Sequence, residues 1–344
     1  MTIRDVAKRA GVTLTTVSSA LGGRGRVSDD TRDAIRKIAD ELGYQPKLAA
    51  QMMRAHSTGH IGLILPGQNL EQISESGHAG PILANFVTLC EQRDVAYHIE
   101  YIDHTGTTRF KPPRQIVNGL CDGVVLGGYV GPELCEWLDK RNTTWISVGE
   151  PAPWCVISAD DDGVYQAAQR LAALGHRHIA YAGNMPKYLT QRLGLEGFRR
   201  AQAEFGLHTG TADSVICMEI PHGDGRRKVI VESMKWAERM LACDAVPTAV
   251  ICHDMTIARA IIYQALRMGK EVPRDLSVMT VGLPSDAEKS PPAISTIEVD
   301  FNALVAQAMD MLLQRLDGRL LVHETRNIAP KIVMRDTVSA RNRP

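Results

Sequence analysis

Leu14, Thr15, Ser18 and Ser19 are the residues of this 344-residue chain whose types and spacing best suit a chemical task. On a helix they share one side, presenting three hydroxyls and one apolar side chain. Such a face can donate or accept hydrogen bonds at base edges in a DNA major groove and touch a thymine methyl. Exposed serines and threonines are also common on ordinary solvated helices, so the face alone decides nothing. The surrounding charge favours the nucleic-acid reading. Residues 1–58 hold ten basic and six acidic side chains, a formal +4, while the remainder holds 29 basic and 33 acidic, a formal −4. A chain with no net charge thus has a basic end suited to phosphates.

The elements that must position this face are short. Thr2 with Asp5 reads as a capping box, and Ile3, Val6, Ala7 and Ala10 fall on one helical face behind it. Gly11 stops that helix because the turn needs a positive φ, and Val12 follows as its apolar residue. Thr13 caps a second helix running from Leu14 through Ala20, with Val17, Ala20 and Leu21 turned toward the first. Two short helices around a glycine turn give the helix-turn-helix spacing. A third helix is expected from Ser28 to Gly43, with Asp29 and Asp30 in its first turn and Ile35, Ile38, Ala39 and Leu42 at core spacing. Lys47 to Arg54 contains good helix formers, but about eight residues are too few to hold a helix alone in water.

The stretches TIRDVAKRAGVTLTTVSSAL, RVSDDTR and ELGYQP resemble the N-terminal signature of the LacI/GalR family of bacterial transcription regulators. The resemblance continues through Ile61 to Leu65, Leu174-Gly175-His176-Arg177, Gly197-Phe198, Asp254 and Val272-Pro273-Arg274-Asp275-Leu276-Ser277-Val278, nearly end to end. It implies that Leu14, Thr15 and Ser19 distinguish one operator from another, while Thr16 and Ser18 mainly position the helix on phosphate. It also makes Lys47 to Arg54 a hinge helix, paired with its counterpart in the minor groove of double-stranded operator DNA. Met53, followed by Arg54, stands where an apolar wedge, usually leucine, enters the central base step. Gln51 departs from the usual basic residue. The implied fold is an all-α helix-turn-helix DNA-binding domain plus hinge helix, joined to an α/β two-lobed periplasmic-binding-protein-like sensor domain.

Length and composition suit that plan, with 44% apolar and 23% charged residues in ordinary globular proportion. Without a membrane-length apolar run or a signal-like N-terminus, a cytoplasmic location is expected. Seven cysteines, scattered and without a CxxC pair, read as free thiols. From Ile61 onward, apolar runs alternate with amphipathic helices in two similar sets, the pattern of parallel sheets covered on both faces. The domains are therefore placed at 1–46 (helix-turn-helix), 47–58 (hinge and linker) and 59–344 (effector binding and dimerisation). The resemblance implies three crossings between lobes, placed near Ala159, Pro292 and Gly318. One lobe then comprises 59–159 and 293–318, and the other 160–292 and 319–340.

Ligands of such folds sit at the carboxyl ends of strands, between the lobes. Strand ends select Gln68, Asn69, Glu150, Trp154, Asn184, His253 and Asp254 as candidates. Trp154 could stack on a sugar face or pack at the lobe junction. Asp254 matches the family's effector-contacting aspartate and is the leading candidate, with capping of the helix from Thr256 as the alternative. The family usually has arginine where Gly194 stands, with Arg192 as a possible substitute two positions away. Asp160, Asp161 and Asp162 stand where one aspartate is usual, and could contact a polyol or sit solvated at a helix start. The resemblance implies a small-molecule effector, by default a sugar or sugar derivative and less commonly a nucleobase or nucleoside, acting on a homodimer. No cofactor or metal is implied.

Catalytic signatures are missing from the chain. Gly127, Gly128 and Gly131 lack dinucleotide or P-loop spacing, and neither GxSxG nor HExxH occurs. Cys252-His253-Asp254, three neighbours on a strand end, cannot converge on one centre. A periplasmic-type binding module would explain the two lobes but not the basic helices. A sugar or nucleoside enzyme would need catalytic groups that the sequence does not offer.

Overall fold

The computed structural model describes residues 2–21, 27–44, 57–103, 110–184, 187–208, 215–217 and 225–341. Two compact units make up the protein, Met1–His60 and Ile61–Pro344.

In the first unit, α1 (Ile3–Ala10), α2 (Leu14–Leu21) and α3 (Asp29–Glu41) enclose a small core of Val6, Ala7, Val17, Ala20, Ile35 and Ala39. Each helix start is fixed by a side chain. The Asp5 carboxylate accepts from the Thr2 backbone N–H and hydroxyl, and these donors hold its pKa below the usual carboxylate value. Thr13 Oγ1 accepts from the Thr16 N–H at 3.1 Å, and Ser28 Oγ accepts from the Thr31 N–H at 3.4 Å. Gly11, at φ +64°, closes α1 with its N–H on the Ala7 carbonyl, so α2 can fold back at once. The segment Lys47 to Arg54, including Gln51, Met53 and Arg54, lies outside the described residues.

The described residues of the second unit form two six-stranded sheets. One has the order β11-β5-β4-β3-β1-β2, built from β1 (His60–Pro66), β2 (Ala96–Ile102), β3 (Gly123–Gly127), β4 (Thr144–Val148), β5 (Trp154–Ser158) and β11 (Glu324–Ile328). The other has the order β12-β10-β9-β8-β6-β7, built from β6 (Ile179–Gly183), β7 (Val215–Cys217), β8 (Ala249–Cys252), β9 (Ser277–Gly282), β10 (Ser295–Glu298) and β12 (Lys331–Val333). Central registers are parallel, Ile61 with Gly123 and Gly123 with Thr144 in the first sheet, Ile179 with Ala249 and Ala249 with Ser277 in the second. β12 runs antiparallel to β10. These central strands read as continuous apolar runs because both faces are buried, which is how the sequence exposes them.

The helices among the described residues of the second unit are, in chain order, α4 (Leu70–Glu75), α5 (Ala79–Gln92), α6 (Arg114–Val117), α7 (Pro132–Lys140), α8 (Asp160–Ala173), α9 (Leu189–Phe205), α10 (Gly225–Ala242), α11 (Met255–Arg267), α12 (Pro284–Glu288) and α13 (Phe301–Leu316). The last of them packs Leu304, Val305, Ala308 and Leu312 into the core of the first lobe. The amphipathic spacing of the sequence predicts helices from Gly163, Leu195 and Val229, and all three begin earlier. α8 starts at Asp160 instead of Gly163, since three acids suit the positive end of a helix. α9 starts at Leu189 instead of Leu195, and α10 at Gly225 instead of Val229.

The first crossing between lobes lies near Ala159. The other two do not lie at Pro292 and Gly318. β10 still belongs to the second sheet and β11 to the first, so the chain crosses at 299–300 and again at 329–330. Pro292 and Gly318 mark turns within a lobe, before β10 and after α13. The first lobe thus holds 61–158 and 301–328, and the second holds 160–298 and 331–341.

All seven cysteines are free. Among the described residues, no helix is long and apolar enough to cross a membrane.

Candidate functional site

Two candidate sites emerge, one in each unit. On the three-helix unit, α2 turns Val17 and Ala20 wholly inward, which leaves Leu14 44% exposed and Thr15 exposed beside it. Ser18 and Ser19 are half-buried at the edge of the same face. The Thr16 hydroxyl lies 2.8 Å from that of Thr13, so it serves the start of the helix. Arg4, Lys8, Arg9, Arg36 and Lys37 are exposed on the flanking helices. Short polar side chains on a helix above a sealed core, ringed by cations, make a surface that can grip phosphates and present hydroxyls to bases.

In the second unit, polar side chains from both lobes gather at the carboxyl ends of the strands. Asp160, 2% exposed, accepts from the Ser158 hydroxyl at 2.5 Å, and its other oxygen lies 3.4 Å from His253 Nε2. His253 follows β8 and is 6% exposed, and neither of its ring nitrogens has a hydrogen-bond partner among the described residues. It fills the space that Gly194 leaves open on α9. A β-carbon on Gly194 would lie 2.7 Å from His253 Nε2 and 2.8 Å from Tyr181 Oη. Tyr181 Oη and Asn184 Oδ1 are likewise buried without partners among the described residues. Buried polar atoms left unpaired are costly, so a set of them at the strand ends marks a place that a hydrogen-bonding ligand or water would satisfy.

From the first lobe, His78 rests against Gly149, where a β-carbon would sit 2.5 Å from its Nε2, and meets Phe301 edge to face at 5.6 Å. Burial keeps the pKa of His78 low, His253 reinforces that, and Asp160 opposes it. Glu150, just after β4, reaches the second lobe and accepts from the Leu189 N–H at 3.3 Å. Its neighbour Ser147 donates its hydroxyl to the Glu150 carbonyl at 2.7 Å, which fixes the turn. The site therefore has a shared floor, Asp160 with its two histidines, and a bridging acid at one edge.

Comparison with known proteins places both units. The family of bacterial regulatory proteins, lacI family, matches residues 2–47, and a periplasmic binding protein-like domain matches residues 168–338. Over its whole length the chain is 28% identical to the HTH-type transcriptional repressor PurR of Vibrio campbellii, covering 99% of both proteins. Residues 2–47 are a LacI-family regulatory domain. The chain is also 26% identical to the HTH-type transcriptional regulator DegA of Bacillus subtilis, again across 99% of each. Its fold matches that of a lac repressor dimer bound to operator and the anti-inducer ONPF, with a TM-score of 0.82, 20% identity and 99% of both chains covered. A complex of the transcriptional regulator CelR with cellobiose matches at a TM-score of 0.68 and 20% identity, covering 98% of this chain and 99% of that one.

Behind the LacI-family domain, the strand-end residues chosen from sequence divide into two groups. Asn184 and Arg192 lie with the cleft cluster, Arg192 acting on Glu150 through its charge. Asn69 instead caps α4, accepting from the Gln72 N–H at 2.9 Å, and Gln68 points its amide at Asp103. Asp254 caps α11, its Oδ1 accepting from the N–H of Thr256 at 2.7 Å and of Ile257 at 3.4 Å. Trp154 is a correction. It opens β5 instead of following β4, so it lies at the amino end of a parallel strand, opposite the cleft. There its indole N–H donates to the Val322 carbonyl at 2.9 Å and the Arg315 guanidinium stacks 3.5 Å from the ring centre. Asp161 and Asp162 pair with Arg200 at the surface, which leaves Asp160 alone of the three in the cleft. Sequence reasoning misses His78, Tyr129, Tyr181, Lys187 and Tyr188, which no strand-end or motif signal picks out.

The Cys252 thiol is fully buried and its pKa is pushed far up by that burial, so it is held as a thiol and supplies no nucleophile beside His253.

Glu150 gives a test of the cleft's electrostatics. Burial raises its carboxyl from the ordinary 4.5 to about 6, while the Leu189 N–H and the Arg192 charge pull it down. A carboxyl with a raised folded pKa contributes its stability fully below the unfolded value and loses it as pH rises through the folded one. Glu150→Gln, which keeps an acceptor for the Leu189 N–H, is therefore expected to melt higher than the native protein at about pH 7.5 and level with it at about pH 4. Calorimetry across that range checks this; a lower melting point for the variant at neutral pH would show that the ionised carboxylate is the stabilising form.

Proposed function

We propose that the chain is a ligand-responsive transcriptional regulator, most simply a repressor, that binds a pseudo-palindromic operator as a homodimer in the cytoplasm. The observation that carries this is the reading face of α2, with Leu14, Thr15, Ser18 and Ser19 set above a sealed three-helix core in the basic part of a chain whose remainder is acidic. Thr16 supports the docked helix from its first turn, and Met53 and Arg54 belong to a hinge that enters the minor groove. The domains assigned to these tasks are 1–46 for reading, 47–58 for the hinge and 59–344 for sensing and dimerisation.

The effector is a small metabolite, a sugar or sugar derivative, held between the lobes by Asp160, His253, Tyr181, Asn184 and Arg192. Its binding resets the angle between the lobes and with it the hinge, and couplings of about 1–3 kcal/mol are usual for such linkage. One relative bears the name of a repressor and the other that of a regulator, and the cleft's best-placed groups, a carboxylate, imidazoles and a phenol, are arranged to bind. Asn69 and Asp254 contribute as helix caps, and Gln68 through its contact with Asp103, in holding the strand ends in place.

The test is selection of genomic duplex fragments by purified full-length protein, followed by a salt titration on the best fragment. The selected site is expected to be a pseudo-palindrome, and its affinity to fall roughly 10³-fold or more between about 50 and 200 mM salt. A flat salt response, or no preference over random duplex with and without candidate metabolites, removes the reading. In a thermal-shift screen, a true effector raises the melting point of the native protein but not that of Asp160→Asn.

A further inference from the structure

At one edge of the cleft, two tyrosines meet across the lobe boundary. Tyr129, just beyond β3, and Tyr188, just before α9, have ring centres 5.9 Å apart and planes at 75°. The ammonium of Lys187 lies 5.6 Å from the first ring centre and 5.2 Å from the second. Burial pushes the Tyr188 phenol far up, and the negative charge of Glu150 beside it adds to the shift. Arg192, whose charge acts on Glu150, is exposed on the first turn of α9.

The faces of aromatic rings attract cations, and a partly desolvated carboxylate next to them deepens the attraction. The niche therefore suits a compact positive charge and repels an anion. Lys187 is a poor permanent occupant, because a long lysine side chain gives up conformational freedom to be held there. Its ammonium is tied to the second lobe through its own backbone beside Tyr188, whereas a free ligand could meet both rings without that tie.

We propose that this edge of the cleft is a binding site for an organic ammonium group, occupied in the present form by Lys187 as a tethered stand-in. The effector is then an amine-bearing metabolite, such as an amino sugar, whose ammonium displaces Lys187 and draws Tyr129 and Tyr188 together. This rests on the reading of the cleft as the effector site.

Calorimetric titration of the full-length protein tests it, with tetramethylammonium chloride as probe and sodium chloride balancing ionic strength. Lys187→Met removes the tethered charge and is expected to bind the probe about tenfold more tightly than the native protein. Adding Tyr188→Leu should abolish the gain, and Tyr188→Phe in its place should keep it, since phenylalanine retains the ring face. The native protein should bind glucosamine more tightly than glucose or N-acetylglucosamine, which lack the charge. Equal affinity of the native and Lys187→Met proteins for the probe, absence of binding to both, or a gain that survives Tyr188→Leu would overturn the proposal. A neutral sugar that binds better than glucosamine and shifts operator affinity would also overturn it while leaving the regulator reading intact.

Discussion

Gly197→Ala is expected to destabilise the sensor unit by about 3 kcal/mol, lowering its melting point by roughly 8 °C. A β-carbon on Gly197 would overlap the carbonyl oxygen of Asp161 and lie 2.7 Å from its carbonyl carbon and 2.8 Å from its Cα. All three are backbone atoms in the first turn of α8, so no rotamer change can make room. α9 must move away from α8, and the contact between Tyr181 and Phe198, stacked at 5.3 Å, moves with it. The shift also pulls on Asp160, one residue from the collision, and on His253 3.4 Å beyond it. Loss of stability should therefore come with loss of effector response, whereas operator affinity of the protein that remains folded should change little. Thermal melts and operator titrations on the same preparation separate the two effects. A variant with native melting temperature would mean that the two helices are not packed this closely.

The same crowding explains what the sequence can and cannot announce. β1, β3 and β4 are legible because burial on both faces leaves them nearly free of polar residues. β5, β10, β11 and β12 are not, being three to five residues long with polar members such as Ser158, Glu298 and Asn327. That is why Trp154 reads as the end of one strand when it begins the next, and why two of the crossings fall elsewhere than the sequence suggests. α9 reads too short because Gly194 interrupts its helical pattern, although the glycine is there to admit His253 from the end of β8. A relation between residues 59 positions apart has no local signature.

Site prediction is limited for a related reason. Asn69 and Asp254 attract notice because they follow strands, and the strand ends do face the cleft. A residue at a strand-to-helix junction is also the natural cap of the helix, and both side chains are committed to that task. His253, also chosen as a strand-end residue, does fill the cleft, and with it His78 and Tyr181, which no local signal marks and which packing from several elements holds. By contrast the three-helix unit is legible almost residue by residue, since its caps, its glycine turn and its core spacing are all local.

Replacing Leu14, Thr15 and Ser19 together with alanine is expected to reduce affinity for the selected operator by about 10³-fold or more, at roughly 1–3 kcal/mol for each base that is no longer read. Affinity for random duplex should stay near its native value. The separation follows from how the helix is built. Val17 and Ala20 hold α2 in the core at zero exposure, and Thr13 with Thr16 holds its start, so none of the three replaced side chains is needed for the fold. Alanine also has the higher helix propensity, which protects α2 from unfolding. The substitutions leave the exposed cations Arg4, Lys8 and Arg9 in place, so the slope of log affinity against log salt should be unchanged. Binding curves for the operator and a scrambled duplex at several salt concentrations decide the matter. Equal losses on both would assign the three residues to non-specific docking and move base reading elsewhere on the unit. A lowered melting point without any change in preference would make the exposed face of α2 part of the packing, contrary to the burial that Val17 and Ala20 display.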